Sequence, residues 1–164
     1  MAVPCTNEAP HLFLTGEKGV GKSTLLRKLL GGRRAGGFRT VKAVYSGRTS
    51  LHLLRLDRAE TPCAENFLCF CPPGGDREAA RRFDRLGCAA LGGMEGAEVL
   101  VMDELGPAEE NAKAFQAAVL QALEGETPIL GVLQKADTPF LRRIAHHPNV
   151  CLVEVTQENR DILF

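Results

Sequence analysis

The sequence predicts an α/β protein: a mostly parallel sheet with helices on both faces and an antiparallel β-hairpin added to it. Three observations predict it. Short runs of consecutive apolar residues alternate with stretches whose apolar residues recur at helical spacing. The first junction between them is glycine-rich, Gly16-Glu17-Lys18-Gly19-Val20-Gly21-Lys22-Ser23. Two loosely alternating stretches flank the turn Ser46-Gly47-Arg48, which reads as a hairpin.

The elements follow in order. His11 to Thr15 is a short apolar strand, and Thr24 to Leu30 carries leucines at helical spacing. Gly31-Gly32 stops that helix, and Arg33 to Gly37 reads as a loop. Phe38 to Tyr45 and Thr49 to Leu56 are the hairpin strands. Asp57 to Asn66 is polar and reads as a loop, and Phe67 to Cys71 is a third short strand broken by Pro72-Pro73-Gly74-Gly75. Asp76 is placed to cap a helix bearing Ala79, Ala80, Phe83, Leu86, Ala90 and Leu91, ended by Gly92-Gly93.

Ala97 to Glu104 contains four consecutive apolar residues before two acids, the pattern of a central strand covered on both faces. Asn111 is placed to cap a helix with Phe115, Val119 and Leu123 on one face, ended by Gly125. Ile129 to Leu133 is another buried strand. Thr138-Pro139 opens a short helix through Ala145, with proline at its first position. Val150 to Val155 is the last strand, and Gln157 to Leu163 adds a helical turn or two.

At 164 residues the chain is read as a single domain over 1–164. Its 45% apolar content suits a packed core. The 20 basic and 20 acidic residues balance, so neither a general nucleic-acid binder nor a membrane-surface protein is indicated. With one tyrosine and no tryptophan, an aromatic stacking platform for nucleic acid is not expected. No apolar run approaches the ~20 residues of a membrane span. Met1 to Pro10 lacks the features of a secretory signal, so a cytoplasmic protein is expected, and a monomer is the expected state. The six cysteines are Cys5, Cys63, Cys69, Cys71, Cys88 and Cys151. A reducing compartment argues against disulfides, and no C-x₂-C pair supports a zinc site, so the middle four are read as buried free thiols.

The motif at Gly16 to Ser23 fits G-x-x-x-x-G-K-[ST], between a strand and a helix. Glycines let backbone N–H groups of Gly16, Glu17, Lys18, Gly19, Val20 and Gly21 wrap a phosphate. The new helix adds its positive end, with Thr24 in its first turn. Lys22 is a mobile charge for the β- and γ-phosphates, and the Ser23 hydroxyl can hold Mg2+. Asp103-Glu104 ends a buried strand on the same sheet edge, where ligands of open α/β sheets bind. There Asp103 can hold Mg2+, and Glu104 can polarise an attacking water as general base.

With these residues in view, the chain resembles the small P-loop nucleoside triphosphatases first described from thermophiles, whose vertebrate members are labelled cancer-related nucleoside-triphosphatase. Leu14 to Thr24, Gly37-Phe38-Arg39-Thr40, Asp103-Glu104-Leu105-Gly106 with Glu109, and the tail Val155 to Asp161 carry the resemblance, with Leu130 to Lys135 similar to bacterial members. It implies Mg2+-dependent hydrolysis of ATP, GTP and other nucleoside triphosphates to diphosphate and phosphate. It also implies a RecA-like core with one further strand between the P-loop strand and the Asp103 strand. The chain departs from the family at Pro107-Ala108, where a Met commonly precedes the Glu, and over the cysteine-rich stretch from Ala43 to Gly93, a candidate for setting substrate preference or for a surface that meets an unidentified protein partner.

Further candidates follow from position. Gln134 ends the Ile129 strand and could sense the γ-phosphate or position water; its neighbour Lys135 reads as solvated. Thr156, Asn159 and Arg160 suit either base and ribose contacts or an internal clamp in which Arg160 meets a buried acid. Glu109 could order the loop after Asp103 or cap the next helix. Arg39 is a candidate charge-stabilising arginine. Two other readings use the same loop: a small nucleotide or metabolite kinase, with its acceptor lid between Ala59 and Arg85, and a nucleotide-binding adaptor that does not turn over.

Overall fold

The apolar runs assemble side by side because each must bury both faces. In the computed structural model, which describes residues 9–72, 77–93 and 95–163, they form one seven-stranded sheet. In chain order the elements are β1 (His11–Thr15), α1 (Lys22–Leu30), β2 (Ala35–Tyr45), β3 (Arg48–Arg55), β4 (Phe67–Phe70), α2 (Arg77–Gly92), β5 (Val99–Leu105), α3 (Lys113–Leu123), β6 (Ile129–Leu133), α4 (Pro139–Ala145) and β7 (Val150–Glu154). The sheet order is β4-β3-β2-β5-β6-β1-β7. β2, β5, β6, β1 and β7 run parallel, and β3 and β4 are added antiparallel at one side. β6 lies between β1 and β5, as the family resemblance implies.

Two apolar clusters seal the faces. Leu25 and Leu26 of α1 pack with Leu14, Val101, Leu130 and Val132 on one face. On the other, Phe83, Phe115, Phe140 and Ile144 from α2, α3 and α4 pack with Phe13, Phe38, Leu100 and Met102. The alternation of these strand residues between the two clusters is the period-2 direction of β side chains. Helices therefore cover both faces, as expected.

The structure corrects several local expectations. Arg33 to Gly37 is not all loop, since β2 starts at Ala35 and pairs Ala35, Gly36 and Gly37 with Val99, Leu100 and Val101. Gly37 has φ 92°, and a Cβ there would overlap the Val101 carbonyl oxygen. The glycines that read as a loop thus permit a close strand approach. β2 is at once the last parallel strand and the first hairpin strand, so the antiparallel addition proper is β3 and β4. Asn111 does not cap α3. Ala112 occupies that position without a side-chain bond, and the Phe115 N–H is met from α2 by Asp84 Oδ1 at 2.8 Å. A remote carboxylate supplies the cap that local pattern assigned to Asn111. The expected cap at Asp76 lies outside the described residues. Thr138 does cap α4, its Oγ1 accepting from Leu141 N–H at 3.3 Å.

The tail after β7 forms turns in place of a regular helix, with Arg160 N–H donating to Thr156 O at 3.0 Å. Of the cysteines, Cys69 is buried while Cys63, Cys71 and Cys88 are half-buried, and none of these four is in a disulfide. Cys151 on the edge strand β7 is disulfide-bonded, against the expectation from compartment, which carries no information about local geometry. Among the described residues no helix is long and apolar enough to cross a membrane.

Candidate functional site

Because β1, β5, β6 and β7 run parallel, their carboxyl ends meet on one edge of the sheet. That edge brings the loop after β1, Asp103-Glu104 of β5, Gln134-Lys135 after β6 and the tail after β7 together. The loop from Gly16 to Gly21 needs three positive φ angles, 146° at Gly16, 82° at Gly19 and 101° at Gly21. Gly16 is also sterically required, since a Cβ would overlap the Val155 carbonyl oxygen, whereas Gly19 and Gly21 have open space around them. Glu17, Lys18 and Gly19 on the crown of the loop, and Ser23 and Thr24 at the start of α1, are exposed; Val20 is buried and anchors the loop in the α1 cluster.

Lys22 is 8% exposed, yet among the described residues its ammonium donates only to loop carbonyls, Gly16 O at 2.6 Å and Glu17 O at 3.0 Å. A buried cation bonded to neutral oxygens is poised to exchange them for a stronger anionic acceptor. Ser23 Oγ donates to Asp103 Oδ1 at 3.1 Å, joining α1 to β5. Burial raises the Asp103 carboxyl above its ordinary value; the Ser23 hydroxyl opposes this, the charge of Glu104 adds to it, and Arg27 and Arg39 pull it back. A hydroxyl and a half-buried carboxylate in contact form a small, hard-oxygen donor pair. That set fits Mg2+, which takes one or two protein oxygens and keeps waters or phosphate oxygens for the rest.

Glu104 is held from β6. Gln134 Nε2 donates to Glu104 Oε1 at 2.7 Å, and Gly106 lies so close that a Cβ on it would come 2.5 Å from Gln134 Cδ. The register slips between Asp103 and Leu105, where β5 spends two residues against one step of β6. Glu109 does not cap α3. It is 3% exposed and its Oε2 accepts from Gly106 N–H at 2.8 Å, ordering the loop after Asp103.

Arg39 pairs with Asp103 across β2 and β5 and is exposed. Lys135 is more than solvated: its ammonium bridges Glu17 Oε1 at 3.1 Å and Glu154 Oε1 at 3.2 Å. In the tail, Thr156 N–H donates to Asn159 Oδ1 at 2.7 Å and Asn159 N–H donates to Thr156 Oγ1 at 3.2 Å. Asn159 Nδ2 donates to Glu154 O at 2.9 Å. Among the described residues Arg160 meets no buried acid; its Nη1 donates to Val20 O of the loop at 3.4 Å. These contacts are those of an internal clamp. Sequence reasoning missed Arg27, whose charge reaches Asp103 from one helical turn beyond Ser23; the i, i+4 spacing from Ser23 was the available signal.

The model of the NTPase family matches residues 11–164, the whole span of the elements just described. The chain belongs to the NTPase family. Curated relatives agree with this assignment along their length. The nucleoside-triphosphatase THEP1 of Thermotoga petrophila is 30% identical over 158 residues, covering 93% of this chain and 87% of the relative. That of Methanosarcina acetivorans is 29% identical, covering 93% of this chain and 91% of the relative. Among solved structures, the crystal structure of THEP1 from Aquifex aeolicus superposes with a TM-score of 0.67 over 93% of each chain at 24% identity, a likeness of fold. As an NTPase-family enzyme, the chain carries its family motifs on the sheet edge where strand direction gathers them.

Proposed function

We propose that this NTPase-family chain hydrolyses nucleoside triphosphates such as ATP and GTP at the β–γ phosphoanhydride, as one cytoplasmic domain. The observation that carries this reading is the Glu104 carboxylate, bonded through one oxygen to Gln134 and standing beside the Ser23–Asp103 pair. Loop N–H groups from Gly16 to Gly21 and the Lys22 ammonium bind the phosphates. Thr24, in the first turn of α1, contributes its N–H at the far end of the loop. Ser23 and Asp103 would hold Mg2+, which would supply positive charge to offset that of the phosphates.

Glu104 then acts on water. Its Oε1 is occupied by Gln134, and Oε2 has no hydrogen bond among the described residues, so Oε2 takes the proton. The water oxygen bonds to the γ-phosphorus as the bond to the bridging oxygen breaks, and the diphosphate leaves with the electron pair. Lys22 stays on the phosphates and offsets the charge that develops. No acceptor other than water is needed, which separates this reading from a kinase. Phosphate release from Mg-ATP or Mg-GTP without an added acceptor tests it. Diphosphate formation only when an acceptor is supplied overturns it in favour of a kinase, and stoichiometric binding without turnover in favour of an adaptor.

A further inference from the structure

Glu109 is buried to 3% exposure, and the water-activating chemistry proposed above makes no use of it. Its surroundings tie it to that chemistry in three steps. Its Oε2 accepts the Gly106 N–H at 2.8 Å, fixing where Gly106 sits at the end of β5. Gly106, with extended backbone at φ −153°, packs against the Gln134 amide so tightly that one added carbon would lie 2.5 Å from Gln134 Cδ. The Gln134 amide in turn donates to Glu104 Oε1 at 2.7 Å. From behind, Gln116 Nε2 holds the Glu109 and Glu110 carbonyls at 2.9 and 2.7 Å, so the loop cannot shift without breaking a buried bond to α3.

We propose that Glu109 is a positioning residue that sets the Gly106 backbone against Gln134 and thereby aims the Glu104 carboxylate. This rests on the reading of Glu104 as the base. The device is a wedge: a side chain with no access to substrate fixes one backbone step, and that step leaves Gln134 one place to lie. Misplacing a catalytic group by about 1 Å costs up to about 10²-fold in rate, so such a support has measurable value.

Glu109 performs this as a neutral acid. Burial pushes its carboxyl up to about 8, opposed by the N–H bonds from Gly106 and from its own backbone, and reinforced by the charge of Glu104. Of the other ionisable groups nearby, Asp84 of α2 meets the Phe115 N–H and Lys113 of α3 the Glu110 carbonyl, while Glu110 itself keeps a buried Oε2 with no hydrogen-bond partner among the described residues. As pH rises through about 8, Glu109 ionises and a buried charge appears behind Glu104. The loop then loosens, and kcat falls on the alkaline side.

The test measures kcat and KM of phosphate release for Glu109→Ala, Glu109→Gln and Gly106→Ala, alone and with Glu104→Gln. Gly106→Ala keeps the Glu109 bond, suits the extended backbone and displaces only the flexible Gln134 side chain. Glu109→Ala and Gly106→Ala should each lower kcat about 10- to 100-fold at unchanged KM. Neither should lower it further once Glu104 is Gln. Glu109→Gln should restore kcat at neutral pH and abolish the alkaline fall near pH 8. Full kcat in Gly106→Ala, or a Gln variant as impaired as the Ala variant, overturns the proposal, and both readouts stand even where Glu109→Ala does not fold. Additive losses on an impaired Glu104→Gln enzyme overturn this proposal alone. Full turnover in Glu104→Gln overturns the base assignment, and this proposal with it.

Discussion

The two ends of the parallel strands treat polar groups in opposite ways. At the amino end, His11 of β1 is fully buried, with Nε2 on Leu123 O at 2.9 Å and Nδ1 accepting from Ile129 N–H at 3.2 Å. Each ring nitrogen has one backbone partner, so the ring is a neutral strut among β1, α3 and β6. At the carboxyl end, the buried Lys22 ammonium donates to loop carbonyls, and the Asp103 carboxyl accepts from the Ser23 hydroxyl. One end is closed and needs nothing. The other is held together by weak acceptors that a phosphate or a cation can replace. The hairpin repeats the closed pattern, with Ser50 Oγ on His52 Nε2 at 2.7 Å and His52 Nδ1 on Asn66 Oδ1 at 2.8 Å. All three side chains are buried, so a serine–histidine–asparagine chain that would read as catalytic in a cleft is structural here.

The contrast predicts that changes at the open end cost turnover and changes at the closed ends cost stability. Lys22→Ala should lower phosphate release by about 10²–10³-fold, with the melting temperature nearly unchanged. Gly37→Ala, between β2 and β5, combines positive φ with an overlap on the Val101 carbonyl, and should destabilise by about 3 kcal/mol in denaturant titration. Ser50→Ala leaves a buried ring nitrogen of His52 without its partner and should cost about 1–3 kcal/mol, with kcat unchanged. His11 gives the smallest effect and a defined sign. Its folded value is lowered from 6.5, chiefly by burial, so the unfolded chain binds the proton more readily. Its contribution is intact above pH 6.5 and is lost as pH falls below it, by at most about 1.4 kcal/mol per pH unit. A melting temperature insensitive to pH across that window would remove His11 from the account.

How much was legible in the sequence follows the same divide. The motif at Gly16 to Ser23 and the Asp103-Glu104 pair were readable because their chemistry lies in residue types at fixed spacing beside strands of clear pattern. Of the sheet order, only the strand between β1 and β5 was readable, through family resemblance, since apolar runs say that a strand is buried and not which neighbour it takes. The start of β2 was not readable. Gly36-Gly37 carries a loop signal, and only the tight packing on Val101 explains glycine within a strand. The cap of α3 was hidden because Asp84 lies far back in the chain. Glu109 and Gln134 were visible as polar residues near strand ends; their link through a glycine with no side chain exists only in three dimensions.

Glu104 is proposed to activate water beside a phosphate site that other residues build. Glu104→Gln separates the two, since it keeps the shape and removes the basic oxygen. Measured side by side, Mg-ATP binding should stay at the wild-type affinity while phosphate release falls about 10²–10⁴-fold. Wild-type phosphate release from the Gln enzyme contradicts the account directly.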